Sequence, residues 1–245
     1  MTKKQMIAMI LLSLLILVWI PAYADVGTTA EELLAQCQGS TFRLPADPAT
    51  DPMLMLVNRN ILLTTSYHPN VITPNVSKKP HAEIDLQPEA AAALEAMFLA
   101  AQAEGLELVA VSGYRSYRKQ STLYARSLER NGQEKADRMS ARPGASEHQL
   151  GLAMDLSSQS LDHELTSKFA RKAEGKWVQE HCAEYGFIIR YKDSWTDVTG
   201  YQGEPWHIRY VGVPHALLIE KLDIPFETYC EFLALVWQQQ AVQEP

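Results

Sequence analysis

Ser146-Glu147-His148-Gln149-Leu150-Gly151-Leu152-Ala153-Met154-Asp155 is the stretch whose reading decides the fold of this chain. Residues 152–156 read as a buried strand, and Gly151 just before them permits a tight turn. A side chain ahead of that turn and one on the strand can converge on a single point. His148 and Asp155 form such a pair, an imidazole and a carboxylate in apolar surroundings, with the Ser146 hydroxyl close by in sequence. Together they supply half of a metal site.

The later stretch with matching chemistry is Gly203-Glu204-Pro205-Trp206-His207-Ile208-Arg209-Tyr210. Zinc takes imidazole nitrogen and carboxylate oxygen, and a catalytic zinc needs three protein ligands with a fourth position open for water. His148, Asp155 and His207 would make that set. Glu204, three residues before His207, is the candidate general base and later general acid. On a straight strand residues 204 and 207 face opposite sides, and Pro205 forbids a helix interior. Glu204 therefore reaches the site only if the chain bends at Pro205. The chain has no His-Glu-x-x-His motif, which excludes the most familiar helical zinc-protease arrangement. Each residue alone also has a plain structural reading, since histidines are commonly surface or hydrogen-bonded core groups and a strand-ending Asp is often a turn former or cap.

Upstream of the opening stretch, a helix is expected from Ser116 or Tyr117 to Arg130, stopped by Asn131-Gly132. Before it, residues 106–112 alternate as a strand. Residues 88–104 are Ala-rich, with Pro88 suited to a first helical turn and Gly105 as a stop. Pro69, Pro74 and Pro80 exclude regular structure between them. Residues 53–63 offer Leu54, Leu56, Val57, Ile61 and Leu62 for a strand entering the core.

Downstream, residues 176–185 read as a helix stopped by Gly186, residues 187–191 as a strand, and residues 214–222 and 226–239 as two closing helices. The aromatics of the last, Phe226, Tyr229 and Phe232, fall at helical spacing and are most simply core. No internal repeat or dividing linker appears. The pattern predicts one α+β domain over residues 53–240, a small, mainly antiparallel sheet flanked by helices, after a lead-in at residues 25–52 with a short helix at 30–36.

The ends and the composition bound the function. Lys3 and Lys4 precede an apolar run over residues 6–20, and Pro21-Ala22-Tyr23-Ala24 carries small residues where a signal peptidase reads. This predicts a signal peptide at residues 1–24, with Asp25 first in an exported chain. The alternative is an uncleaved membrane anchor, although a run of roughly 15 residues is short for a span of about 20. A composition of 47% hydrophobic and 21% charged residues excludes a disordered chain. Without Lys3 and Lys4, 20 basic residues face 29 acidic ones. That leaves no basic footprint for nucleic acid. Cys37, Cys182 and Cys230 make an odd count for an oxidising compartment. Either two of them pair, with the choice left open, or all three are buried thiols.

Ser146-Glu147-His148 through Gly151, Ala153 and Asp155, taken with Glu204-Pro205-Trp206-His207, resembles the D-alanyl-D-alanine carboxypeptidases of vancomycin-resistance type. These belong to a zinc peptidase superfamily that includes D,D-dipeptidases, some phage endolysins and the Hedgehog signalling domain. The resemblance extends to Ser112-Gly113-Tyr114-Arg115-Ser116 with Gln120, to Arg142-Pro143-Gly144, to Tyr185-Gly186-Phe187 with Arg190-Tyr191, and to Arg209-Tyr210-Val211-Gly212. It implies a zinc-peptidase domain in which His148, Asp155 and His207 bind Zn2+ and Glu204 is the catalytic base. It also implies that Arg115 holds the substrate's terminal carboxylate, a task suited to a guanidinium fork, and that Ser146 and Gln120 help bind the same peptide end. A surface salt bridge is the plain alternative for Arg115.

The implied reaction removes the C-terminal D-alanine from peptidoglycan stem peptides in the periplasm or cell-wall space. An L,D-carboxypeptidase acting on tetrapeptides would use the same metal site and clamp. From a different class, the Hedgehog relatives raise a zinc-stabilised binding module without turnover. Glu204 beside an intact ligand set argues for the enzyme.

Overall fold

The small sheet predicted from alternating segments is the centre of the computed structural model, which describes residues 29–36 and 47–243. The expected signal segment and Cys37 lie outside the described residues. Strands β1 (Leu108–Ser112), β2 (Ala153–Ser158), β3 (Phe187–Ile189) and β4 (His207–Tyr210) run in the order β1-β2-β4-β3, each pairing antiparallel. Around them stand helices α1 (Ala30–Gln36), α2 (Pro88–Ala103), α3 (Tyr117–Asn131), α4 (Gln133–Met139), α5 (Ala173–His181), α6 (Thr196–Thr199), α7 (Val213–Leu222) and α8 (Phe226–Gln243). The α+β expectation holds. Among the described residues no helix is long and apolar enough to cross a membrane.

Strand alternation divides the sheet into two unlike faces. Met154, Leu156, Ile208 and Phe187 share one face and cluster with Leu94, Met97 and Phe98 of α2. Those α2 residues, with Ala90 and Ala101, recur at helical spacing and form its buried stripe. On the other face Ile188 joins a second cluster with Ala30 and Leu33 of α1, Ile219 of α7, and Phe226, Tyr229 and Phe232 of α8. The same face also carries Asp155 and His207, which sit directly opposite each other on β2 and β4. One sheet face is thus apolar, and the other is apolar at one end and polar at the other.

Three local expectations differ from the structure. Residues 53–63 form no strand: Pro52–Leu54 is a 3-10 turn, capped by the Asp51 carboxylate accepting from Met53 N–H at 2.8 Å. The apolar residues there do not keep a period of two, and Ile61 and Leu62 are exposed. The helix ended by Gly132 is followed at once by α4, because Gly132 at φ 74° both stops α3 and opens the next helix. The helix expected over residues 176–185 starts earlier and ends at His181, where a 3-10 turn, Cys182–Tyr185, completes the segment. Cys182 and Cys230 are free thiols, not partners, and burial pushes both up to about 12.

Candidate metal centre and active site

His148 sits on a 3-10 turn, Glu147–Leu150, which closes on Gly151 in the left-handed conformation at φ 69°. Only glycine takes that conformation freely, and a Cβ there would also lie 2.8 Å from Val71 Cγ1. Gly151 thus turns the chain from His148 onto β2, as the spacing required. The turn is tied to the loop after β1, where Arg115 N–H donates to His148 O at 3.1 Å. In the same loop Gly113 O accepts from His148 Nδ1 at 2.7 Å. That bond makes Nδ1 the protonated nitrogen and leaves Nε2 for a ligand. Nε2 is buried, without a hydrogen-bond partner, and 3.3 Å from Asp155 Oδ2.

Asp155 and His207 meet because their strands pair in register, which sets His207 Nδ1 3.0 Å from Asp155 Oδ1. The other nitrogen, Nε2, lies 3.6 Å from Glu147 Oε2. His148, Asp155 and His207 are all buried, and each offers a ligand atom within 4.8 Å of the others. Two imidazoles and one carboxylate are a fitting donor set for zinc, and the unpartnered His148 Nε2 is a lone pair in need of a proton or a metal. Burial and the nearby Arg115 guanidinium lower His148 to about 4. Burial would lower His207 as well, but Asp155 and Glu147 raise it to about 9. Burial opposes the ionised form of Asp155, yet the two imidazoles hold it well below the usual carboxylate range.

The bend at Pro205 is present. His207 N–H donates to Glu204 O at 3.0 Å, closing a turn over Pro205 and Trp206, and Glu204 N–H is anchored on Tyr191 O at 2.9 Å. Glu204 is half-buried beside the cluster, and burial pushes its carboxyl up to about 7. Asp155 adds to that rise, whereas His207 and Arg115 oppose it.

Arg115 is half-buried, its Nε is enclosed without a hydrogen-bond partner, and its pKa is lowered by burial against the pull of Asp155 and Glu204. It is not the surface salt bridge that was its alternative. Ser146 is buried at the head of the 3-10 turn but does not cap it. Gln120 is buried on the first turn of α3, where its Nε2 donates to Ala141 O at 2.6 Å while Oε1 has no partner. Half of its bonding capacity therefore holds the chain that leads to Ser146.

A buried charge network beneath the cluster escaped the sequence reading. Glu147 Oε1 accepts from Arg190 Nε at 2.8 Å and Arg209 Nη1 at 2.9 Å. Arg190 also forks onto both oxygens of Glu227 at 2.9 and 2.6 Å, and Arg209 donates to the carbonyls of Met53 and Met55. Two arginines and two carboxylates balance, which is how such groups survive full burial. The available signal was an arginine in step with buried positions on each of two apolar strands, Arg190 after Ile188 and Arg209 on β4.

The family profile described as VanY, D-alanyl-D-alanine carboxypeptidase, matches residues 83–213. YodJ of Bacillus subtilis, assigned to the carboxypeptidases, is 45% identical over 183 residues, 73% of this chain and 67% of YodJ. The solved LdcB LD-carboxypeptidase, described with its recognition of peptidoglycan, shares 45% identity at a TM-score of 0.70, over 74% of this chain and 88% of that one. A glutamate-to-alanine mutant of the vancomycin-resistance D,D-pentapeptidase VanY, solved with Zn(II), shares 29% identity at a TM-score of 0.62, over 73% of this chain and 99% of that one.

Proposed function

The chain belongs to the VanY family of D-alanyl-D-alanine carboxypeptidases, and from that premise we propose that it is a zinc carboxypeptidase releasing the C-terminal D-alanine of peptidoglycan stem peptides. The observation that carries this reading is Arg115, an enclosed and unpartnered guanidinium nitrogen beside Asp155 and Glu204. An enzyme that cuts inside a chain has little use for such a group. One that removes a terminal residue needs a cation fixed near the metal for the terminal carboxylate.

His148, Asp155 and His207 would hold the zinc, as zinc is held in the VanY structure by a protein of the same fold. When bound, zinc supplies Lewis acidity that acidifies water toward about pKa 7 and polarises the scissile carbonyl. Glu204 takes the proton of the attacking water and later delivers it to the leaving amine. Arg115 orients the peptide by its terminal carboxylate, so that the last peptide bond lies over the cluster. Ser146 and Gln120 line the same end. Export from the cytoplasm belongs to this proposal and is supported by Lys3, Lys4 and the apolar run that follows.

A second reading, L,D-cleavage of tetrapeptides, is favoured by the greater likeness to LdcB than to the D,D-pentapeptidase, 45% against 29% identity. Incubating zinc-loaded protein with pentapeptide and tetrapeptide wall fragments, followed by mass spectrometry, separates the two. Loss of alanine from the pentapeptide is the expected result. Trimming of the tetrapeptide alone supports the second reading, and intact peptides in both arms overturn both.

A further inference from the structure

We infer that Glu147 is a positioning residue for the metal centre, accepting the Nε2 proton of His207 and so fixing the tautomer in which Nδ1 is free to bind metal. The inference rests on the reading of His148, Asp155 and His207 as that centre. His207 Nδ1 faces Asp155 Oδ1, so it is the nitrogen aimed at the other ligands. A neutral imidazole carries one N–H, and if Nδ1 offers its lone pair the proton must sit on Nε2. Nε2 is buried with no hydrogen-bond partner, and so is Glu147 Oε2, 3.6 Å away. One is an orphaned donor and the other an orphaned acceptor, and each loses stability unless paired.

Glu147 is built to stay an acceptor. Arg190 and Arg209 both donate to its Oε1, which pins the carboxylate and leaves Oε2 directed at His207. Arg190 is held in turn by Glu227, and Arg209 by the carbonyls of Met53 and Met55. His148 shows the complementary arrangement, with Nδ1–H held by Gly113 O and Nε2 directed at Asp155. The two histidines thus present opposite nitrogens to one point, each orientation set by a protein acceptor on the far side of the ring.

Glu147→Gln tests this with almost no change in shape. The arginines claim the amide oxygen, which turns the NH2 toward His207 Nε2. A donor there favours the reversed tautomer, with the proton on Nδ1. Competition of the full chain against a chelator for Zn(II) should show affinity lowered by about 10–100-fold. Glu227→Gln loosens the same arginine without facing His207, and its zinc affinity should stay at the wild-type value. Proton–nitrogen correlation spectra of the histidine rings give a second readout on wild-type protein loaded with Cd(II). They should show cadmium coupled to His207 Nδ1 and a proton on Nε2, and they decide the matter if Glu147→Gln does not fold.

Cadmium coupled to His207 through Nε2 overturns the inference and leaves the metal centre standing. A folded Glu147→Gln with wild-type zinc affinity does the same, as does an equal loss in Glu227→Gln. Cadmium coupled to neither His148 nor His207 overturns the metal centre and the inference together.

Discussion

Glu204 is a carboxyl pushed up to about 7 by burial, beside an arginine that is itself enclosed and without a partner at Nε. A carboxylate near its ordinary value of about 4.3 gives a proton away too readily to return it at neutral pH, whereas one near neutrality can both accept and deliver it. Glu204→Ala removes the proposed proton carrier and none of the three proposed metal ligands. Zinc content by elemental analysis should remain at the wild-type value, while kcat for alanine release falls by about 100- to 10,000-fold. Arg115→Ala removes the proposed carboxylate clamp and leaves Glu204 in place. KM should rise and kcat fall for peptides with a free terminal carboxylate. The wild-type preference for such peptides over their C-terminal amides, measured on the paired substrates, should largely disappear. In the sequence Glu204 stood out as a carboxylate three residues before His207, whereas Arg115 was singled out only by the family resemblance. Gln120 was harder to read, because an amide on a helix gives no sign that half of it is committed to Ala141 O.

At the scale of elements, what carries His148 to Asp155 is the turn at Gly151, and its cost can be isolated. An L-residue in the left-handed region loses roughly 1–2 kcal/mol, and Gly151→Ala also drives a methyl to 2.8 Å from Val71 Cγ1. Gly105, at φ 78° with open space around it, pays the conformational part alone. Denaturant unfolding should therefore show Gly151→Ala less stable than Gly105→Ala, and only the former should lose zinc affinity. Such turns are legible because glycine announces them. The helices and strands that flank the site, α2, β1, β2, β4, α7 and α8, were legible from periodicity and stop signals. Residues 53–63 were not, since their apolar content resembled a strand while the segment is fixed by backbone carbonyls of Met53 and Met55 accepting from a distant Arg209. A bond to the main chain leaves no trace in the residue types of that segment. The helix α4 was hidden by the same Gly132 that marked the end of α3.

Across the whole molecule, Glu147, Arg190, Arg209 and Glu227 join the His148 turn, two adjoining strands and α8 into one buried unit. Hydrophobic packing of α8 through Phe226, Tyr229 and Phe232 places this helix against the sheet. Its ion pair then ties that packing, through Arg190 and Glu147, to the turn that carries His148. Arg190→Met would leave the Glu227 carboxylate buried without the two bonds it now accepts, a change that costs about 3–5 kcal/mol. Adding Glu227→Leu removes the stranded charge and leaves Glu147 paired one-to-one with Arg209. The double variant should accordingly be more stable in urea than Arg190→Met alone, although it carries one more substitution. Additive losses would mean that the two side chains contribute independently. Recovery in the double variant would instead assign the cost of Arg190→Met to an uncompensated charge, and would mean that the arginine is retained for where it holds Glu147 rather than for the stability it adds.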